Sequence, residues 1–209
     1  MAKDVLELQV NLLRNHDNLV ECTLNNIYCP NRWLLFRKIR DWDTELFSHS
    51  LRVAAYSRFL VQELFNEDEE TESIVTAGAF FHDIGKTTWP NKFSHKELTE
   101  RDREIVRCHP TTGTYIVEEL WPNVPIEILT IIQEHHERPN GQGYPTGKKL
   151  TNPLSLIVSA SDIFAALTEP RRYRKVVYNA EAAAQELVRQ GYSTKVAEVL
   201  EKEYESIIV

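Results

Sequence analysis

The stretch that decides the fold runs from residue 44 to residue 65 and reads TELFSHSLRVAAYSRFLVQELF. Its apolar residues recur every three or four positions, which is the spacing of one face of an α-helix. We therefore expect one long helix from about Thr44 to Phe65. His49 lies in this helix and Glu45 precedes it by four residues, so the two side chains share a face and could reach one metal ion together.

The same helical spacing recurs along most of the chain, and no segment alternates convincingly as a half-buried strand would. Acidic first turns, capping residues and prolines mark where further helices begin and end. These signals predict helices over 68–83, 99–107, 110–120, 125–137 and 153–167, followed by two amphipathic helices capped by Asn179 and Ser193. Residues 87–97 and 138–152 are predicted to be loops. The expected fold class is all-α.

Residues 1–41 are expected to form a helical extension with two helices around a break at Cys29-Pro30-Asn31, in front of a main domain over residues 42–209. This extension could pack on the main body or mediate self-association, and the sequence favours neither.

Composition excludes several classes of function. The 209 residues are 42% hydrophobic and 26% charged, with a net charge of −7, which argues against binding a nucleic-acid polymer. No apolar run approaches the ~20 residues of a membrane span, and the chain start lacks the layout of a secretory signal. Three cysteines without disulfide-like spacing indicate a reducing compartment, so we expect a cytoplasmic protein.

Five of the seven histidines fall in a pattern typical of a metal site: His49, His82, His109 and the pair His135-His136. A single buried histidine is more often a core residue than a ligand. Here, however, His82-Asp83 and His135-His136 form adjacent pairs, and Asp162 is a lone carboxylate on an apolar helix, where an unpaired charge is costly. Together these features favour a multi-metal centre, whereas His16 and His95 are interpreted as surface residues.

Lys86 follows His82 by four residues and would share its face if the helix continues that far, where its ammonium group could contact a phosphate oxygen. The segment Arg171-Arg-Tyr-Arg-Lys175 concentrates positive charge. Such patches are more often solvated surface than ligand sites, although a small anionic substrate remains compatible with one.

The order of these residues resembles the HD-GYP subgroup of the HD metal-dependent phosphohydrolases. The resemblance covers Glu45 to Leu187, about two thirds of the chain, and the motifs together are specific although the His-Asp pair alone is not. The motifs are His82-Asp83-Ile-Gly-Lys86, His109-Pro-x-x-Gly113, His135-His136-Glu137, Gly141-Gln-Gly143-Tyr144-Pro145 and Arg171-x-Tyr-Arg174.

The resemblance implies a helical bundle of five or more core helices. It also implies two or three divalent ions, iron or manganese with zinc also compatible, and hydrolysis of a cyclic dinucleotide, usually cyclic di-GMP, to the linear dinucleotide or to GMP. The implied metal ligands are His49, His82, Asp83, His109, His135, His136 and Asp162, with Glu45 as the extra carboxylate of trinuclear members.

The resemblance further implies that Asp83 and Lys86 act in catalysis, Lys86 by contacting the scissile phosphate. Gly141, Gly143, Tyr144 and Pro145 would form a loop that orients the substrate or a protein partner. Arg171, Arg174 and Lys175 would lie near phosphates or bases. A metal-activated water is the expected nucleophile.

The chain departs from the pattern of the subgroup at Asn140, Ala165 and Arg172, none of which is a ligand position. These departures bear on the choice of substrate rather than on catalysis. The alternatives are a hydrolase of another nucleotide, such as a hybrid cyclic dinucleotide, a dNTP or an alarmone, and a weakly active module that binds a nucleotide or a partner. A homodimer is compatible with each of them.

Overall fold

The computed structural model describes residues 30–65, 69–89, 99–170 and 177–208. Its helices, in chain order, are α1 (Pro30–Trp42), α2 (Thr44–Leu64), α3 (Glu69–Phe81), a short 3-10 helix (Ile84–Thr88), α4 (Glu100–Arg107), α5 (His109–Leu120), α6 (Ile126–Glu134), α7 (Pro153–Thr168), α8 (Ala180–Arg189) and α9 (Thr194–Ile208). The described residues form no strand, so the predicted all-α class is confirmed.

The long helix α2 begins where the sequence predicts because Asp43 caps it. One carboxylate oxygen of Asp43 accepts hydrogen bonds from the backbone N–H groups of Glu45 (2.8 Å) and Leu46 (3.1 Å), which no residue within the helix can satisfy. Asn152 and Asn179 cap α7 and α8 in the same way. Thr99 and Asp102 form a reciprocal capping box at the start of α4.

The core lies where α2 packs against α3 and α7. Helix α6 packs beside α3, α5 packs against α6 and the 3-10 helix, and α8 and α9 close the other side. Aromatic rings fill it. Tyr56 of α2 meets Phe164 of α7 edge to face, with ring centroids 5.3 Å apart, and Phe36 of α1 stacks on Phe80 of α3 at 5.5 Å. Each fully buried side chain of this size stabilises the fold by roughly 2 kcal/mol.

Three helix ends differ from the sequence prediction, and all three lie at histidines. Helix α3 ends at Phe81, before His82-Asp83, and α6 ends at Glu134, three residues before the predicted Glu137. His109 was expected outside the helical geometry because Pro110 follows it, yet it is the first residue of α5. In each case Nδ1 of the histidine ring donates to a backbone carbonyl three residues earlier.

Helix α1 packs onto the main body rather than standing apart from it. Leu35 and Ile39 are fully buried, and the guanidinium group of Arg32 lies 4.1 Å from the centre of the Trp121 ring. The division of the chain at residues 41 and 42 stays a prediction, and the helix predicted before Cys29 lies outside the described residues. Of the helices that the structure describes, none combines the length and the apolar character needed to cross a membrane.

Candidate metal centre

Asp83, His109, His135 and His136 form a first group, in which each side chain offers one nitrogen or oxygen atom and these atoms lie within 4.8 Å of one another. Nε2 of His109 lies 3.0 Å from Oδ1 of Asp83 and 3.1 Å from Nε2 of His135. Asp83 and His135 are fully buried or nearly so. This first group gathers residues from the ends of three different helices.

His49, His82 and Asp162 form a second group, whose ligand atoms also lie within 4.8 Å of one another. Oδ1 of Asp162 lies 3.0 Å from Nε2 of His49 and 3.9 Å from Nε2 of His82. The two groups adjoin, because Nε2 of His82 lies 3.3 Å from Oδ2 of Asp83 and Nδ1 of His136 lies 3.6 Å from Oδ2 of Asp162. Asp83 therefore stands between the groups, with one carboxylate oxygen toward each.

Three of the histidines are oriented by helix ends. His82 follows α3, His109 follows α4 and His135 follows α6, and each ring Nδ1 meets the carbonyl oxygen of the residue three positions before it. A carbonyl can only accept, so each Nδ1 carries the hydrogen and donates it. The lone pair of each Nε2 then points away from the helix and into the cluster, as a metal ligand requires.

The same arrangement favours positive charge in the cluster. The last carbonyls of a helix have no partner within it and carry a partial negative charge. Because α3 and α6 end at the cluster, their partial charges add to the charges of Asp83 and Asp162, whereas the end of α4 is offset by the start of α5 at His109. A cation is the complementary ligand.

Burial and neighbouring charges set the protonation states. Burial lowers the pKa of His135 to about 4, and it also lowers the pKa values of His109 and His136, so these rings are neutral at pH 7. Burial alone would disfavour the Asp83 carboxylate, but Lys86 and His82 beside it hold the pKa of Asp83 well below its usual range. Neutral imidazoles and ionised carboxylates are the forms that bind metal ions.

The donor set passes a direct test of fit to a metal. Nε2 of His82 and Oδ1 of Asp83 are buried polar atoms that lie close to neighbours without forming a hydrogen bond. Such atoms are costly to bury, and a coordinated cation removes the cost. Imidazole and carboxylate donors together suit iron, manganese or zinc.

Lys86 lies on the 3-10 helix rather than on a continuation of α3, as the sequence had left open. It nevertheless reaches the cluster, because its Nζ donates to Oδ2 of Asp83. The turn that brings it there depends on Gly85, since a Cβ atom at this position would lie 2.0 Å from the backbone oxygen of His109.

The predicted loop at Gly141–Pro145 lies against the His135-His136 turn. The ring of Tyr144 lies 4.5 Å from that of His136, and the backbone N–H of Tyr144 donates to the oxygen of His136 (3.0 Å). Gly143 permits this approach, because a Cβ atom there would lie 2.3 Å from the same oxygen. The loop thus places an aromatic ring beside the first group.

Glu137 is a site residue whose role sequence reasoning missed. It is 1% exposed, and one of its carboxylate oxygens accepts from both the backbone N–H and the hydroxyl of Thr146 at 2.7 Å each. The other oxygen accepts from the backbone N–H of Gly147 at 3.1 Å. Glu137 therefore anchors the loop to the candidate ligands, and its place directly after His136 was the available signal.

Glu169 was missed as well. Its carboxylate lies 3.3 Å from Nδ1 of His49. Glu169 directly follows α7 and lies seven residues after Asp162, a spacing of two helical turns that was the available signal. Of the predicted ligands, Glu45 is exposed and belongs to neither group. Arg171, Arg174 and Lys175 lie outside the described residues.

The model of one protein family, the HD domain, matches residues 34–196. The Pseudomonas aeruginosa protein named cyclic di-GMP phosphodiesterase PA4108 is 30% identical over 157 residues, or 73% of this chain and 37% of that protein. The Vibrio cholerae protein named 3'3'-cGAMP-specific phosphodiesterase 1 is 32% identical over 132 residues, or 61% of this chain and 30% of that protein. The chain thus spans less than half the length of these relatives.

Among solved structures, Bd1817, a HDG"Y"P protein from Bdellovibrio bacteriovorus, matches with a TM-score of 0.65 and 20% sequence identity. The match covers 95% of this chain and 70% of that one. At 20% sequence identity this likeness shows a shared fold and nothing further.

Proposed function

Because the chain belongs to the HD domain family, we propose that it is a metal-dependent phosphohydrolase that opens a cyclic dinucleotide. Cyclic di-GMP is the first candidate substrate, in keeping with the name of the Pseudomonas relative. The linear dinucleotide or GMP would be the product.

One observation supports the proposal: two groups of side chains that could each hold a metal ion adjoin in one buried cluster, with Asp83 between them. Each group offers enough donors for an ion, so we propose at least two ions. The first would be held by Asp83, His109, His135 and His136, and the second by His49, His82 and Asp162. Iron or manganese is the proposed metal, and zinc fits the same donors.

Divalent ions held by these residues would supply a water of lowered pKa and would neutralise charge on a phosphate. The residues of the chain would hold the substrate for that chemistry. Lys86, half-buried and already at Oδ2 of Asp83, is placed to donate to a phosphate oxygen that enters the cluster. Tyr144 presents a ring beside His136 on which a base or ribose could rest.

A hybrid cyclic dinucleotide is the second candidate substrate, because the Vibrio relative is named for 3'3'-cGAMP. The metal cluster would treat the phosphates of both molecules alike. Discrimination between guanine and adenine would then fall to side chains beyond the cluster, among which we propose Arg171, Arg174 and Lys175. A protein partner at Gly141–Pro145, a homodimer and a cytoplasmic location also remain predictions.

Replacing Asp83 with Asn keeps the size of the side chain but removes the charge between the two groups, so we expect bound metal to fall and turnover to drop at least ~100-fold. The protein would be purified without oxygen, its iron, manganese and zinc quantified, and hydrolysis of cyclic di-GMP and 3'3'-cGAMP followed by chromatography.

Asp41→Asn is the matched control, because Asp41 is an exposed aspartate paired with Arg37 and Arg40. This variant should retain metal and activity. A wild-type protein that binds ions but hydrolyses neither compound would overturn the cyclic-dinucleotide proposal and leave another nucleotide as the substrate. A protein that binds no metal would favour a binding module instead.

A further inference from the structure

Glu169 is a buried carboxylate that touches the second metal group from outside. It follows the last residue of α7, where its backbone N–H donates to the carbonyl of Ala165 (3.0 Å), and it is 7% exposed. A carboxylate at 3.3 Å from Nδ1 of His49 and at 2.9 Å from the guanidinium of Arg52 is well compensated for its burial.

His49 has a requirement that His82, His109 and His135 do not share. Those three follow helix ends, where an unsatisfied carbonyl accepts the hydrogen of Nδ1. His49 lies inside α2, where the carbonyl three residues earlier belongs to the hydrogen-bond ladder of the helix. Its ring therefore needs an acceptor from another element.

The carboxylate of Glu169 lies where it can accept the hydrogen of the His49 ring. The two nitrogens of the His49 ring face two carboxylates from the same region of the chain, Asp162 at Nε2 (3.0 Å) and Glu169 at Nδ1 (3.3 Å). Asp162 belongs to the second metal group, whereas Glu169 does not. The hydrogen of a neutral ring can reside on only one of the two nitrogens.

We propose that Glu169 is a positioning residue that holds the hydrogen of His49 on Nδ1 and so leaves Nε2 free to bind a metal ion beside Asp162. Arg52, three residues after His49 on α2, lies 2.9 Å from the Glu169 carboxylate and orients it toward the ring. The inference rests on the proposed function insofar as His49, His82 and Asp162 hold an ion.

The test compares Glu169→Ala with Glu169→Gln, whose amide oxygen still accepts a hydrogen bond. Titration of metal-free protein with Mn²⁺ against a chelator gives the number of sites and their affinities. We expect Glu169→Ala to weaken one class of site by about 10–100-fold and to leave the other unchanged. Glu169→Gln should recover much of the affinity, and Arg52→Gln should weaken the same class of site.

Glu72→Gln is the matched control. The Glu72 carboxylate also bridges helices through an arginine, since it accepts from Arg58 at 2.6 Å and from Gln62 at 3.0 Å, but it belongs to neither metal group. The affinities of the Glu72→Gln variant for Mn²⁺ should equal those of the wild type. Equal affinities for Glu169→Ala and wild type would overturn the proposal.

A second readout needs no metal. The ¹⁵N shifts of the His49 ring, assigned with a His49→Asn variant, report which nitrogen carries the hydrogen. We expect Nδ1–H in the wild type and in Glu169→Gln, and a shift toward Nε2–H in Glu169→Ala. An unchanged tautomer in a folded Glu169→Ala protein would contradict the inference, even if the wild type bound no metal and the proposed function itself failed.

Discussion

At the scale of single residues, hydrogen bonds and burial hold the cluster in the protonation state that metal ligands need. Backbone carbonyls fix the hydrogens of His82, His109 and His135 on Nδ1, and burial keeps His109 and His135 neutral. An ion would therefore displace few protons at pH 7, and its binding would not have to reorient these rings.

This neutrality predicts a pH-dependent stability of the metal-free protein. Burial lowers the pKa of His135 to about 4, whereas a histidine in the unfolded chain titrates near 6.5. Between these two pH values the unfolded state thus binds more protons than the folded state. The contribution of the neutral His135 to the free energy of unfolding is therefore fully present above about pH 6.5 and is lost as the pH falls toward 4. From His135 alone we expect a loss of about 3 kcal/mol.

Urea denaturation of chelator-treated protein at several pH values measures this effect. The pKa values of His109 and His136 are lowered as well, so they act in the same direction. His135→Asn should reduce the dependence of the unfolding free energy on pH. A free energy that stays constant from about pH 7 to pH 5 would contradict the expectation.

At the scale of elements, α4 has an unusual position because it is attached to the site but not to the core. None of its side chains is buried, yet its carbonyl at Val106 accepts from the ring of His109. Its stability therefore depends on the capping box, in which the Thr99 hydroxyl accepts from the backbone N–H of Asp102 (3.2 Å) and the Asp102 carboxylate accepts from that of Thr99 (3.0 Å).

Thr99→Ala should destabilise α4 locally by about 1 kcal/mol. Because the helix buries no side chain, this cost should appear as amide hydrogen exchange about fivefold faster in residues 103–107, with little change in the global unfolding temperature. Asn179→Ala, which removes the cap of α8, is the control and should leave exchange in α4 unchanged. Equal exchange rates in α4 with and without Thr99 would show that other contacts hold this helix.

At the scale of the whole molecule, α1 shares the core of the domain that follows it. Leu35 and Ile39 are fully buried, with 0% accessible surface, and both belong to the common core. Phe36 links α1 to α2 and α3 through ring contacts with Phe47 and Phe80 at 5.5 Å each. Helix α1 is therefore expected to unfold together with the rest.

Ile39→Ala tests this coupling. We expect it to lower the free energy of unfolding of the whole domain by about 2–5 kcal/mol in one cooperative transition, because it opens a cavity in the shared core. Leu34→Ala, on the same helix but at a side chain 46% exposed, should change the free energy by no more than about 0.5 kcal/mol. A separate early transition confined to α1 would support the predicted boundary at residues 41 and 42.

The sequence by itself determined the helices and the kinds of ligand. Apolar spacing, capping residues and prolines act within a few residues of one another, so the bounds of α2 and α7 and the capping of α4 and α8 could be predicted. The adjacent pairs His82-Asp83 and His135-His136 are equally local, and they indicated a metal site before any contact was known.

Only the tertiary structure decided which residues meet. His49 and Asp162 are 113 positions apart and His49 and Glu169 are 120 apart, yet both pairs are in contact because α2 packs along α7. Helical periodicity fixes the face on which a side chain lies but not the partner of that face. For this reason the sequence supplied the ligand candidates, whereas packing separated Glu45 from the two groups and joined Glu169 to His49.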